Sequence, residues 1–239
     1  MSAERLDKLL NNLGYIESRR MAPRLLRNHT VLHNGQPVTD VAAKVTHAGL
    51  TLDGKPLDPP QGMVILLHKP YGYVCSHADS GQRIYDLLPP RFLLRTPVVT
   101  SVGRLDKDAT GLLLLTDDGK LVQRLTSPRR HVPKVYEVKL ADPLTGNEAA
   151  LFASGTLMLR GEDKPLLPAQ LEVTGPHTAR LTLREGRYHQ VKRMFAAAGN
   201  RVEALHRAAF GGLDLGGLAA GEWRILSNDD IKKLTTIED

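Results

Sequence analysis

Short apolar runs, each closed by turn-forming residues, most tightly constrain what this chain can fold into. Met63–Leu67, Pro97–Val102, Leu112–Thr116, Val135–Leu140 and Val202–Leu205 have the length of buried strands. None approaches the roughly 18 to 20 apolar residues of a membrane span. Helical spacing appears between them. Leu121–Leu125 suggests a short helix and Glu148–Ala153 another. Val191, Met194, Phe195 and Ala198 recur at i, i+3, i+4 and i+7, which predicts a helix over Gln190–Ala198 with one buried face. Leu171–Thr174 and Ala179–Leu183 read as an antiparallel pair, and Trp223–Leu226 as a last strand before a Ser227/Asp230 capping box. Strands outnumber helices, so residues 63–239 predict a mixed, mainly antiparallel α/β domain.

The first 58 residues follow a different pattern. Leu6, Leu9, Leu10 and Leu13 have helical spacing, and Gly14 stops that helix. Ser18 is placed to cap a second helix carrying Ala22, Leu25 and Leu26. Pro23 lies inside that helix, where it removes a backbone donor, so the helix either starts later or is kinked. Asn34-Gly35 between Val31-Leu32 and Val38 is a hairpin signal, and Asp53-Gly54 marks a further turn. Asp58–Gly62, rich in Pro and Gly, reads as a connection. The expected organisation is a small α+β domain over 1–58, a linker at 59–62 and a larger domain over 63–239.

Net charge is +6 and the isoelectric point about 9.5. The distribution is more informative than the sum. Lys120, Arg124, Arg129, Arg130, Lys134 and Lys139 form one group, and Arg184, Arg187, Lys192, Arg193, Arg201 and Arg207 another. Such clusters suit a phosphate-rich partner, because neutralising phosphates releases counterions. Cys75 is the single cysteine, which excludes an intramolecular disulfide and points to a reducing compartment. The start, Met1-Ser2-Ala3-Glu4-Arg5-Leu6, carries charge where a signal peptide needs an apolar core. A cytoplasmic address is expected, with no membrane association.

Gly103-Arg104-Leu105-Asp106-Lys107-Asp108-Ala109-Thr110-Gly111 is the richest stretch chemically. Asp106, Asp108, Thr110, Gly111 and Asp117 fit most positions of a calcium loop, but the last is not the bidentate Glu and the flanks read as strands. An Asp-x-Asp-x-Thr phosphotransferase needs its carboxylate at the end of a buried parallel strand, and Arg104 interrupts the apolar run before Asp106. A metal-free catalytic carboxylate at Asp106 needs a nearby cation to hold its charge, which Arg187–Arg193 could supply. Residues that merely shape a turn are the fourth reading.

At these residues the chain resembles the RsuA-type family, the small-subunit rRNA pseudouridine synthases. Arg5-Leu6-Asp7-Lys8-Leu9, Ser18-Arg19 and Val31-Leu32-His33-Asn34-Gly35 resemble an S4 RNA-binding domain. Lys69-Pro70-Tyr71-Gly72-Tyr73, Gly103-Arg104-Leu105-Asp106 with Thr110-Gly111-Leu112, Lys134-Val135-Tyr136 and Glu185–Met194 match the family's catalytic segments in order. The resemblance implies an enzyme that isomerises a specific uridine of 16S-type rRNA after flipping the base out of its stack. Asp106 is then the catalytic aspartate, Tyr136 contacts the flipped base, and Lys192, with Arg193 as a second candidate, is the cation beside Asp106. Arg104 helps hold the displaced nucleotide. The expectation is a buried, ionised Asp106 with neither cofactor nor metal.

The basic residues Arg19, Arg20, Arg24 and Arg27 in the S4-like segment, with Arg129, Arg130 and Arg187, are the candidate RNA contacts. The partner is rRNA, free or in a partly assembled subunit, and the enzyme is expected to be a monomer. A large-subunit rRNA synthase is the nearest enzymatic alternative. A non-catalytic assembly factor is a further one, which the presence of both Asp106 and Lys192 disfavours.

Overall fold

The computed structural model describes residues 3–235. They form two compact units. One gathers the chain up to Met63 with Leu88–Thr100 and Thr116–Asp118; the other comprises Val64–Leu87, Ser101–Leu115 and the chain from Gly119 onward. The units therefore do not divide the chain at a single point.

In the first unit, α1 (Leu6–Asn12) buries Leu6, Leu9 and Leu10 against Ile16, Ala22, Val31, Val45 and Leu50. α2 (Ala22–Asn28) starts later than the sequence reading placed it. Ser18 makes no side-chain cap; it precedes a single 3₁₀ turn, Arg19–Met21, and Pro23 falls in the first turn of α2. There its missing N–H costs no helical bond, so the helix is not kinked by it. β1 (Val31–His33) and β2 (Gln36–Pro37) form the expected hairpin, with Asn34 and Gly35 both at positive φ as a two-residue turn requires. β3 (Leu50–Leu52) pairs with β1, and β4 (Lys55–Pro56) with β3. Pro59 to Gly62, expected as a linker, are tied within this unit: Arg95 Nη2 donates to Pro59 O at 2.8 Å, and Gly62 N to Asp117 Oδ1 at 2.8 Å. Arg95 and Asp117 form an ion pair of 2.7 Å that is almost wholly buried.

The second unit is built on a mixed sheet. Its main path runs β8 (Gln170–Gly175), β9 (Thr178–Leu183), β7 (Lys134–Leu140), β10 (Val202–Phe210), β6 (Ala109–Thr116), β5 (Val64–Lys69) and β11 (Trp223–Ile225). β6 and β10 are parallel, while β8/β9, β9/β7, β7/β10 and β5/β11 are antiparallel. β5 and β6 are apolar on both faces, and Val64, Leu66, Leu112 and Leu114 meet Leu121 and Leu125 of α3 (Gly119–Thr126) in one core. α4 (Glu148–Ala153) and α5 (Gln190–Ala197) bury Phe152 and Phe195, whose rings cross edge to face at 5.2 Å. α6 (Asn228–Thr235) carries the expected capping box: Asp230 N donates to Ser227 Oγ, and the Asp230 carboxylate accepts from Ser227 N and Oγ.

Two strand boundaries differ from the sequence reading. Of Pro97–Val102 only Thr100 and Ser101 are strand, since Pro97 brings no N–H to a ladder. β10 runs on to Phe210, well beyond Leu205. Its polar residues His206 and Arg207 face partners in the sheet and do not mark its end.

Candidate active site

Asp106 sits in the turn before β6, and that turn is fixed by its carbonyls. Lys69, at the end of β5, is fully buried and donates all three of its N–H bonds: to Ala109 O at 2.7 Å, Pro70 O at 3.0 Å and Lys107 O at 3.3 Å. Gly72 N also donates to Lys107 O, and the Cys75 thiol donates to Leu105 O at 3.4 Å. Burial pushes the Lys69 ammonium down to about 8 and the Cys75 thiol up. The buried Lys69 thus holds the carbonyls that follow Asp106, and Cys75 the one that precedes it.

Where the turn enters β6, the chain runs close beside β10. Gly111 has φ of 111° and lies opposite Arg207. A Cβ there would stand 2.3 Å from Arg207 O and 2.6 Å from Arg207 N. Arg207 Nε in turn donates to Leu112 O at 2.7 Å, and Thr110 Oγ1 meets His206 Nδ1 at 2.9 Å. Only glycine permits this approach.

A cleft of about 690 Å³ opens over this part of the sheet. Asp106, Arg104, Tyr188 and His189 line it, together with Lys134, Tyr136, Leu205, Arg207 and Phe210 from β7 and β10. That volume lies in the range that encloses small organic ligands. Lys192, in the first turn of α5, reaches Asp106 Oδ2 at 3.3 Å and Asp108 Oδ1 at 2.6 Å. Burial opposes the Lys192 charge, but the Asp108 hydrogen bond and the Asp106 carboxylate outweigh it and raise its pKa; Asp108 is correspondingly lowered. His189 Nε2 stands 3.4 Å from Asp106 Oδ1, and its ring is stacked on the exposed Tyr188 with centroids 3.8 Å apart.

The structure therefore brings Asp106, Arg104, Tyr136 and Lys192 together. Asp106 is half-buried, with 25% of its side chain exposed, and not enclosed as the sequence reading expected, because it lies on the cleft wall and not in the core. Arg193 turns away from Asp106, donating to Glu162 at 2.7 Å and to the carbonyls of Tyr188 and Arg160. Arg187 makes a similar set of bonds to Glu185, Glu162 and the carbonyls of Lys164 and Pro165. These two arginines brace the segment before α5. In the first unit, Arg20, Arg24 and Arg27 are exposed, while Arg19 shares Asp7 with Arg5. Arg129 and Arg130 are exposed and border a shallow groove with Lys120, Gln123 and Arg124.

Neither the calcium-loop nor the phosphotransferase frame is present around Asp106. The turn passes directly into strand β6 without a following helix, and Asp106 precedes that strand. Sequence reasoning missed Lys69, Asp108, Lys134 and Arg207 as parts of the site. The available signal was alternation: Lys134 shares the inward face of β7 with Tyr136, a position where a charge needs a reason.

Comparison with known proteins agrees with this arrangement. Residues 63–197 match the RNA pseudouridylate synthase family, and residues 4–57 match the S4 domain. Proteins named ribosomal small subunit pseudouridine synthase A from Pasteurella multocida (strain Pm70) and Escherichia coli (strain K12) are each 44% identical to the chain over 95% of its length, covering 97% and 98% of their own. A crystal structure described as a pseudouridylate synthase is 40% identical and superposes with a TM-score of 0.68, over 97% of this chain and 99% of the other. The matched segment contains Asp106, Tyr136 and Lys192, and the chain belongs to the RNA pseudouridylate synthase family, with an N-terminal S4 domain.

Proposed function

We propose that the chain converts a uridine of small-subunit ribosomal RNA to pseudouridine, with Asp106 as the catalytic carboxylate. The observation that carries this reading is Asp106 at the wall of a nucleoside-sized cleft, 3.3 Å from the Lys192 ammonium, in the cleft that Tyr136 also lines. The curated relatives are named for the small ribosomal subunit, and they cover nearly the whole chain.

The reaction breaks the C1′–N1 bond of uridine and forms C1′–C5 in its place. The hydrogen on C5 leaves as a proton and N1 gains one, so no external reagent is consumed. Asp106 acts at the sugar when the C1′–N1 bond breaks, and Lys192 stands beside its carboxylate as a counter-charge. Tyr136 contacts the flipped base from the sheet. Arg104, exposed at the rim, holds the displaced strand. Arg20, Arg24, Arg27, Arg129 and Arg130 carry phosphates, and Arg19 contributes while pairing with Asp7. Arg187 and Arg193 keep the segment before α5 in shape. Neither metal nor cofactor takes part in this scheme. The protein acts as a cytoplasmic monomer on rRNA, including rRNA in partly assembled subunits. Among the described residues no helix is long and apolar enough to cross a membrane.

Release of tritium from C5 of labelled uridine in a small-subunit rRNA transcript or partly assembled subunit tests the reading. Wild type releases label and Asp106→Asn does not. RNA binding without release from either substrate would reject the enzymatic reading, and full turnover by Asp106→Asn would reject the assignment of Asp106.

A further inference from the structure

Two cations stand inside the cleft without an ion pair; Glu185 acts on Lys134 only from beyond contact distance, its carboxylate being bonded to Leu167 N, Arg187 and Gln190. Arg207 is 2% exposed; its Nε is used on Leu112 O, and its Nη2 has no hydrogen-bond partner. Lys134 uses one donor, on Val132 O at 2.8 Å. Among the described residues no carboxylate comes within 4.0 Å of either head group. Both lie against one ring, with Lys134 Nζ 5.5 Å and Arg207 Cζ 5.3 Å from the centroid of Phe210. Pairing across β7 and β10 explains the convergence: Lys134 is opposite Phe210, and after a bulge Tyr136 is opposite Arg207. All four side chains therefore share one face of the sheet, the face that floors the cleft.

An arginine cannot shed its proton, and an unpaired buried charge is costly to keep. The arrangement is reasonable only if a ligand supplies the missing acceptors. Arg104 and Lys107 are exposed at the rim, where the sugar-phosphate backbone of a flipped nucleotide would run, so that its base would reach the floor. Uracil is neutral before the reaction and carries negative charge during it.

We infer that Lys134 and Arg207 are catalytic residues that bind the carbonyl oxygens of the target uracil and hold its negative charge while it is detached from the sugar. The inference rests on the proposed uridine isomerisation. When C1′–N1 breaks, the bonding electron pair goes to the ring and spreads from N1 onto O2 and O4. Donors fixed at the floor hold those oxygens while the ring turns to present C5 to C1′. The charge disappears when C1′–C5 forms, the C5 proton leaves and N1 is protonated. Donors placed in advance for a charge that exists only in passing favour the transition state over the bound substrate. The burial that lowers Lys134 to about 8, with Arg207 adding repulsion, is relieved by the same anion.

The test uses the full chain, the tritiated small-subunit transcript, and single-turnover rates at saturating enzyme alongside RNA Kd. Lys134→Met and Arg207→Lys are expected to slow the rate constant about 100- to 1,000-fold, as loss of one oxyanion donor does, with Kd within about threefold of wild type. Lys134→Arg is expected to recover most of the rate, which a purely structural loss at that position would not show. Weakened RNA binding with an unchanged rate at saturation would mean that the pair binds phosphate and would overturn the inference. Unchanged rates would overturn it also. If Arg207→Lys melts early, the half-buried Lys134 position decides the matter alone. A wild-type protein that releases no label removes the uridine isomerisation itself, whereas an active wild type with unaffected variants removes only the role of these two cations.

Discussion

Replacing Gly111 with alanine is expected to damage stability and catalysis together, because one backbone contact serves both. The new Cβ would stand 2.3 Å from Arg207 O, 2.6 Å from Arg207 N and 2.8 Å from Arg207 C, all of them backbone atoms that no rotamer change can move. Ordinary contact begins near 3.4 Å, so β6 and β10 must part by roughly 1 Å. Two costs follow. A residue with a Cβ held at positive φ costs about 1–2 kcal/mol, and overpacking a tight contact adds about 1–3 kcal/mol. The sum is about 2–5 kcal/mol. For a chain of this size each kcal/mol lowers Tm by roughly 2–4 °C, giving a fall of roughly 4–20 °C. The parallel register places Gly111 opposite Arg207 and Ala109 opposite Leu205, so the same displacement shifts the Asp106 turn relative to the cleft floor. Thermal melting followed by circular dichroism gives the first quantity. Tritium release measured well below the new Tm gives the second, which should fall at least about 100-fold for a displacement near 1 Å. An alanine variant that melts within about 2 °C of wild type and keeps its turnover would refute the reasoning.

Three other perturbations separate further parts of the structure. Asp117→Asn leaves the Arg95 guanidinium buried without its counter-charge, and breaking a buried pair this way costs about 3–5 kcal/mol; a melt should show Tm lowered by roughly 6–20 °C. Lys192→Met removes a charged contact on Asp106, a class of bond worth about 1.5–3 kcal/mol, so turnover should fall roughly 10- to 160-fold, read by the same release assay with RNA Kd measured in parallel. Lys134 has an ordinary pKa of 10.5 in the unfolded chain and about 8 in the fold, so between those values the unfolded state holds more protons and rising pH favours folding. The penalty is fully present below about pH 8 and gone above about 10.5, so any Tm advantage of Lys134→Met over wild type should shrink as pH rises through that window; an advantage that grows would contradict the burial of this cation.

Much of the architecture was legible because it depends on local rules. The β8/β9 pair, the Asn34-Gly35 turn, α4 and the Ser227/Asp230 cap each follow from a few neighbouring residues. Asp106, Tyr136 and Lys192 were reached through resemblance across segments, since Asp106 alone fitted other loops as well. What was illegible depended on distant chain. Ser18 looked like a cap, but the 3₁₀ turn at Arg19–Met21 delays α2 past its reach. Arg193 stood beside Lys192 in sequence, yet the helix turns it toward Glu162, a residue in a segment without regular pattern. Lys69 falls in a segment that resembles the family but is given no role there, because its function lies in three carbonyls, two of which come from the turn that holds Asp106.

The cleft floor shows most clearly where sequence reading stops. Side chains alternate along a strand, so by simple counting Arg207 and Phe210, three residues apart, belong on opposite faces of β10. The bulge reverses that parity. Val135 pairs with Ala209, but Tyr136 pairs with Arg207, so one residue of β10 is left over and the strand before it turns its other set of side chains inward. Without that extra residue Ala208 would face Tyr136 and Arg207 would point away from the cleft. With it, a guanidinium joins Lys134 on the ring of Phe210, and the carboxylate at the wall acquires a cationic floor below it. Nothing near Arg207 in the sequence announces the bulge. It is fixed by the competing registers of β7 and β6 on either side of β10, and the close approach that Gly111 permits is one of the contacts that fix it.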